Sequence, residues 1–422
     1  MKSLRFPSTR LLACLALSGA TLLHADTNRA LEELLSTLAR NGTLTREQSA
    51  SILQLAGENK PGPSRETTAA APTVAPAAAM PKVVALPKQK EVTRLIVAGK
   101  LHPQWETFST RVSNGPSLAD RNTFSLRRIE LELTGDIAPD WSGTFTADFA
   151  ASNTLNQAFV TYKGIPQHEL RIGQTKVPFL MEESISDSVL KGVERSASHR
   201  AVVEQTGRGI GSKLAGLHLK SSAATGPYYA VAVTNAGAKN GSGYAGNVSN
   251  GLAYWGRVGT NLAAGDGRID LGADAACQPD YLPGGRVSAF AGHVHYLGKQ
   301  FDVLAEIVTA SYPRPGLPNA RLVGYMIEPV FRFAKKWEAV VRFSSVDSDG
   351  IGVSPGSLIR NAPATGNFDR LDSYYLGGNY YIVGNAVRLA FGYDHAKATG
   401  RITGTAEENT IDGLSTRFQF LF

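Results

Sequence analysis

Gly413-Leu414-Ser415-Thr416-Arg417-Phe418-Gln419-Phe420-Leu421-Phe422 closes the chain. Leu414, Phe418, Phe420 and Phe422 share one parity, whereas Ser415, Arg417, Gln419 and Leu421 share the other. Side chains of a β-strand point to opposite faces in turn, so this is a strand with one apolar and one largely polar face. A soluble β-sandwich with its apolar side inward shows the same alternation. What the apolar face meets must therefore be read from the rest of the chain.

The same parity runs through the preceding 320 or so residues. In 336–346, Trp337, Ala339, Val341 and Phe343 oppose Glu338, Arg342 and Ser344. In 386–396, Val387, Leu389, Phe391 and Tyr393 oppose Arg388 and Asp394. In 267–276, Ile269, Leu271 and Ala273 oppose Arg268, Asp270 and Asp274. Sixteen strands are expected, near 94–106, 122–136, 141–150, 155–163, 168–177, 207–220, 227–235, 251–262, 267–276, 286–297, 300–311, 320–333, 336–346, 371–383, 386–396 and 409–422. Their connections alternate between tight turns, such as Ala138-Pro139-Asp140 and Gly384-Asn385, and longer loops, notably 177–205, 237–249 and 348–369. Trp141, Tyr162, Tyr229, Tyr296, Phe301, Phe333, Trp337 and Tyr380 lie near the tight turns on the apolar parity. Aromatic residues collect at membrane interfaces, and outer-membrane barrels have short periplasmic turns and long outer loops. The expected fold is all-β: a 16-stranded antiparallel transmembrane β-barrel with a short N-terminal periplasmic helical segment.

The front of the chain supports this setting. Residues 1–25 read as a secretory signal peptide: Lys2, Arg5 and Arg10 precede an apolar Leu11–Leu23, and Ala25 is a small residue for cleavage. The apolar run is shorter than the ~20 residues that span a bilayer. Residues 26–59 read as a periplasmic helix pair, with Leu31, Leu34, Leu35 and Leu38 at helical spacing and a Thr45 to Gln48 capping box opening the second helix. Residues 60–92 are a Pro/Ala-rich linker, an extended spacer by composition. Residues 93–422 are the barrel. A leader at one end and a terminal aromatic strand at the other resemble the signals that route proteins into the outer membrane of a Gram-negative-type envelope. Lipid and lipopolysaccharide are then the surroundings, and the helix pair could reach peptidoglycan.

The totals agree. Apolar residues make up 43% of the 422 and mean hydropathy is −0.12, unlike a helical membrane protein. Glycine (43), phenylalanine (17) and tyrosine (14) favour strands and tight turns. Cys14 leaves with the leader, so Cys277 has no intrachain partner. The net charge is +7 for the whole chain, but from Thr93 onward 32 basic residues face 29 acidic ones. That balance gives no case for nucleic acid.

Leu170-Arg171-Ile172-Gly173-Gln174-Thr175-Lys176-Val177-Pro178-Phe179 is a strand stopped by Pro178, which cannot donate to a sheet. The charged stretch after it, about 177–205, is too long for an idle turn. It is expected to fold into the barrel mouth and narrow it; a mobile surface lid is the alternative.

Several motifs in 126–196 together resemble the phosphate-selective porin O and P family. They are Leu126-Arg127-Arg128-Ile129-Glu130-Leu131-Glu132-Leu133-Thr134-Gly135, Trp141 with Ala147-Asp148-Phe149-Ala150, and Gln157-Ala158-Phe159-Val160-Thr161-Tyr162-Lys163-Gly164. Arg171 to Phe179 with Glu182-Glu183, and Glu194-Arg195-Ser196, complete the set. The resemblance implies a sixteen-stranded porin, often a homotrimer, whose third loop is a constriction. In founding members that constriction is rich in lysine and arginine and binds phosphate. Here the loop is mixed: Lys191, Arg195 and Arg200 stand beside Glu182, Glu183, Asp187, Glu194 and Glu204. Lys176, Lys191 and Arg195, with Arg171 and Arg128, are the expected anion-binding residues of the constriction. For each, a salt bridge that stiffens the wall is the alternative role.

No catalytic reading competes. His293 and His295 share a strand face but lack a third ligand. Glu130 and Glu132 match family wall positions. Gly207-Arg208-Gly209-Ile210-Gly211 lacks the strand–turn–helix setting of a phosphate loop. No serine, histidine and carboxylate grouping stands out, and neither a cofactor nor a metal is called for. The expected function is passive diffusion of small hydrophilic solutes, anions such as phosphate among them. A structural protein that tethers the envelope, with an unselective pore, and a barrel hydrolase are the alternatives.

Overall fold

A computed structural model describes residues 94–205, 208–221, 225–237, 251–282 and 285–422. The leader, helix pair and linker expected in 1–92 lie outside these residues, as does most of the loop expected at 237–249. Sixteen strands are present among the described residues. They are β1 (Arg94–Val112), β2 (Arg121–Ala138), β3 (Trp141–Asp148), β4 (Leu155–Tyr162), β5 (His168–Lys176), β6 (Lys213–Ser221), β7 (Gly226–Asn235), β8 (Leu252–Ala264), β9 (Gly267–Leu282), β10 (Gly285–Leu297), β11 (Phe301–Arg314), β12 (Leu317–Ala334), β13 (Trp337–Asp347), β14 (Asn367–Val383), β15 (Val387–Thr403) and β16 (Glu408–Leu421). Three short helices, α1 (Met181–Ser184), α2 (Ala197–Val203) and α3 (Pro355–Leu358), sit in loops. Each strand pairs antiparallel with its neighbours, and β1 pairs with β16 to close the barrel. The last joint is a reciprocal pair: Gly99 N–H donates to Phe422 O at 2.8 Å, and Phe422 N–H to Gly99 O at 3.1 Å. Closure leaves no row of unpaired backbone groups, the condition for a sheet to cross lipid.

The expected alternation is realised with the apolar side outward. Phe290, Leu376 and Val258 are about 60% exposed, the reverse of a soluble core. Two aromatic belts bound this apolar band. At the short-turn rim the rings of Phe301, Phe331, Phe333, Trp337 and Tyr380 run in sequence with centroids 4.5 to 6.5 Å apart, and Trp141 packs on Tyr162 at 4.5 Å. The second belt is Tyr325, Phe343 and Tyr374. Tyr325 and Phe333 on β12 are eight residues apart, roughly 27 Å along the strand.

Several strand bounds differ from the sequence reading: β1 runs to Val112 rather than 106, β9 to Leu282 rather than 276 and β15 to Thr403 rather than 396, and β14 starts at Asn367 rather than 371. β11 and β12 were expected to stop near 311 and 320, yet they continue to Arg314 and Leu317 and reverse through Pro315-Gly316, with Gly316 at φ 74°. Outward Asn319 and Arg321 are polar there, beside an exposed Leu317, so the strands run on past the main apolar band. β6 was expected from 207 but begins at Lys213, because Gly211 (φ 84°) and Ser212 (φ 69°) break the extended backbone before it.

The inner wall has two zones. Toward the short turns it carries charge, as in Asp302, Glu328, Glu338, Arg388 and Arg417; toward the long loops β7–β12 present small apolar residues such as Ala232, Ala253, Ala289 and Ala310. Between the zones Tyr375 lies flat on a floor of Gly377 and Gly392, with the Arg342 guanidinium 4.9 Å from its ring centroid. A Cβ at Gly392 would lie 2.2 Å from the Tyr375 ring and hydroxyl, whereas one at Gly143 would meet nothing within 4 Å. Gly392→Val should therefore destabilise the barrel by roughly 1–3 kcal/mol through overpacking, and Gly143→Val should not. Equilibrium urea unfolding of the two variants checks this; equal midpoints would refute it.

Candidate functional site

Val177 N–H donates to Ser212 O at 2.8 Å, so entry to and exit from the segment 177–212 lie side by side. Pro178 ends β5, and Leu180, at φ 61°, turns the chain into the lumen. The segment then crosses to the far wall. Leu180 N–H donates to Asp274 of β9 at 2.8 Å, and Met181 N–H donates to Glu306 of β11. Further on, Val193 N–H donates to the Tyr375 hydroxyl at 3.1 Å. Asn379 and Arg388 donate to Lys191 O and Leu190 O, each at 2.9 Å, and Gln419 donates to Ser188 O at 3.1 Å. Backbone buried away from water must find partners, and here the wall supplies them. α2 follows, capped by the Ser196 hydroxyl, which accepts from His199 N–H. It is buried throughout and packs its alanines and valines into the apolar upper zone.

Charge holds the segment in place. The Glu194 carboxylate accepts from Arg127 Nε at 2.8 Å, Arg360 Nε at 3.0 Å and Arg417 Nη2 at 2.5 Å. Burial alone would raise this carboxyl; Arg127, Arg360 and Arg417 outweigh burial and hold it well below the ordinary carboxylate range. Asp187 is depressed against burial by Arg128 and Arg195, and Glu183 by Arg195 and Lys176. Glu183 also joins His199 Nε2 at 2.8 Å to the Ser212 hydroxyl at 2.7 Å, linking α2 to the exit.

Adjacent residues of a strand should point to opposite faces, yet Arg127 and Arg128 both reach the loop. The pairing of β1 with β2 explains this: His102 faces Arg128 and Pro103 faces Leu126, leaving Arg127 as an extra residue. The bulge lies opposite a proline, which has no N–H for the ladder, and it re-aims one of the two guanidiniums inward.

The lumen left beside the loop is a chamber of about 370 Å³ against β4–β8 and the lower part of β1 and β2. Its lining includes Lys100, Arg171, Lys176, Lys213, Lys220 and Arg257, with Glu130, Glu169 and Asp187. A smaller chamber of about 260 Å³ lies on the other side of the loop, bordered by Lys191, Arg332, Asp302 and Glu328.

The expected site residues divide between these places. Arg171 lines the large chamber, bonded to Glu169 at 2.6 Å and stacked over Phe159. Lys176 lines it too, and its ammonium donates to Glu183 O and, at 3.1 Å, to Ile185 O. Lys191 borders the small chamber and is paired with Glu338 at 3.0 Å. Arg128 and Arg195 are buried struts. Arg128 binds Asp148 at 2.9 Å and also Asp187; Arg195 binds Asp187 at 2.7 Å and the Glu182 carbonyl. His293 contacts Asp270 and His295 contacts Asp302, and no group of three or more such side chains among the described residues could hold a metal.

Sequence reasoning missed Lys213, Lys220, Arg127, Arg360 and the inward course of residues 348–366. Lys220 was readable, since Leu217 and Leu219 alternate with His218 and Lys220. Arg127 was hidden by the bulge. Residues 348–366 carry Val353, Leu358 and Ile359, apolar residues that an outer loop has little use for unless it packs; all three join α2 in one buried cluster.

No curated protein sequence matches the chain significantly. Solved structures share its fold. The anion-selective porin from Comamonas acidovorans is 12% identical, with a TM-score of 0.55 over 78% of this chain and 99% of its own. The outer membrane channel DcaP of Acinetobacter baumannii is 13% identical, with a TM-score of 0.53 over 77% of this chain and 97% of its own. OprB of Pseudomonas putida is 8% identical, with a TM-score of 0.52 over 77% and 94%. The sequence profile described as phosphate-selective porin O and P matches residues 103–279 and 283–422, nearly the whole barrel. A closed barrel with an inward loop, matched over that length, belongs to the phosphate-selective porin O and P family and is an outer-membrane porin.

Proposed function

We propose that the pore passes small hydrophilic solutes by diffusion with a bias toward anions, phosphate among them. The observation that carries this is the lining of the larger chamber, where six Lys and Arg residues face three carboxylates. Lys176 and Lys213 stand opposite each other in register across β5 and β6. Like charges directly opposite are destabilising, and a passing anion relieves that cost. Lys220, with 46% of its side chain exposed, and Arg171 share Glu169, so the charge there is only part-compensated. The three acids keep residence short, as conduction requires. Arg195 and Lys191 then serve to hold the loop that sets the size limit. The family's description points the same way.

In a potassium chloride gradient the reversal potential should be chloride-selective, and added phosphate should lower conductance. The Lys213→Gln, Lys220→Gln double variant should reduce the chloride preference by about two- to threefold. A cation-selective pore indifferent to phosphate would remove the anion assignment and leave the porin.

We also propose a homotrimer joined along β3–β5. These strands have 8, 8 and 9 residues. At about 3.3 Å per residue and about 40° tilt they rise roughly 20 Å, short of the roughly 25 Å apolar band of such barrels. A second copy completes the band on that side better than lipid does. Native mass spectrometry from mild detergent should find three chains, and a monomer would exclude this arrangement.

The filter should also resist acid. Glu183, Asp187 and Glu194 have folded values below their unfolded ones. Their contribution is complete above the ordinary carboxylate range near pH ~4 and is lost only as pH falls through the depressed folded values. Single-channel current should stay quiet from neutral pH to about 4 and become noisy below it. Noise that rises between pH 7 and 5 would contradict this.

A further inference from the structure

Residues 348–366 connect β13 to β14 on the long-loop side, yet they bend into the mouth and lie on the constriction loop. Val353 exchanges backbone hydrogen bonds with Phe368 at 2.7 and 3.0 Å, which fixes the base of the segment to the wall. Beyond that base the bonds go mainly to the constriction loop. Arg208 donates to Ile351 O and Gly352 O, Arg200 donates to Ser357 O, and Arg360 bridges Glu194 and Glu204. The wall contributes Thr110, which donates to Pro363 O, Asn409, which donates to Thr365 O at 3.0 Å, and Glu106, which accepts from Asn361. Bends with positive φ flank the segment, at Asp349, Gly350 and Gly352 on one side and Gly366 on the other. Beneath it the seam lined by Glu106, Phe108 and Ile359 encloses only about 10 Å³, against about 370 Å³ in the chamber below.

We propose that residues 348–366 are an outer gate of the pore, latched onto the constriction loop by Arg360. Arg360 suits a latch because nothing is stranded when it leaves. Glu194 keeps Arg127 and Arg417, and Glu204 keeps Arg200 at 2.7 Å. Breaking an ion pair is expensive mainly when it leaves a buried charge uncompensated; here neither carboxylate is left so. The Arg360 side chain is 23% exposed, so water can solvate it as it departs. A solute entering above the seam has to displace this segment. The gate then adds a restriction outside the one the constriction loop makes, whichever solute the chamber prefers.

The full chain, refolded into planar bilayers and liposomes, tests this with Arg360→Gln and Glu204→Gln. Arg360→Gln cuts both arms of the latch and Glu204→Gln cuts one, and they change the charge of the mouth in opposite directions. An unlatched gate should raise single-channel conductance in both and speed uptake of the trisaccharide raffinose by about threefold. An electrostatic effect would move the two conductances apart. Wild-type conductance and uptake in either folded variant, or shifts of opposite sign, overturn the gate. Failure of both variants to form a heat-stable barrel would show the contact to be part of the folding frame, and overturns it as well.

Discussion

A backbone that crosses lipid must pair every N–H and C=O within itself, and the rest of this molecule follows from that demand. Sixteen strands meet it by closing β16 onto β1. Closure fixes alternate side chains to lipid and to lumen, so each strand carries an apolar and a polar parity. The lumen becomes the place where charge collects, and charge in a confined space needs partners. The 177–212 loop supplies them. Its carbonyls and carboxylates meet the wall arginines and asparagines, and the wall carboxylates meet its N–H groups. Loop and barrel thus satisfy each other, and the filter is part of the frame.

The two zones of the inner wall divide the labour. Small alanines in the upper half leave room for α2 and for the apolar side chains of 348–366, which pack there as a soluble core would. Charged residues in the lower half line the larger chamber. Between them Tyr375 lies on its glycine floor and hands the loop a hydroxyl. That position works only because two facing strands carry no side chains beneath the ring.

Much of the barrel was legible because its signal is local. Trp337 to Phe343 and Val387 to Tyr393 show their parity within seven residues. The belt at the short turns was legible for the same reason, as Trp141 and Trp337 sit beside their turns, whereas the Tyr325, Phe343 and Tyr374 belt was not read. What could not be read depends on partners far away in the chain. Arg127 faces inward because of Pro103, and Arg195 is a strut because Asp187 and Glu183 surround it. Nothing near Arg360 tells that Glu194 and Glu204 will be its neighbours. The inward path of about 177–205 was expected from its length and its resemblance to known relatives, whereas 348–366 had only three misplaced apolar residues to betray it.

Glu194 touches Arg127 of β2 and Arg417 of β16, which flank β1 on either side. One carboxylate from the filter therefore staples the sheet across the strand at which it zips shut. Such coupling restricts how a lineage of these porins can drift. A substitution at Glu194 that retunes the loop also removes the staple. Lys213 and Lys220 line the larger chamber, away from that seam. A new side chain at those positions changes the lining of the chamber without asking the barrel to close in a new way.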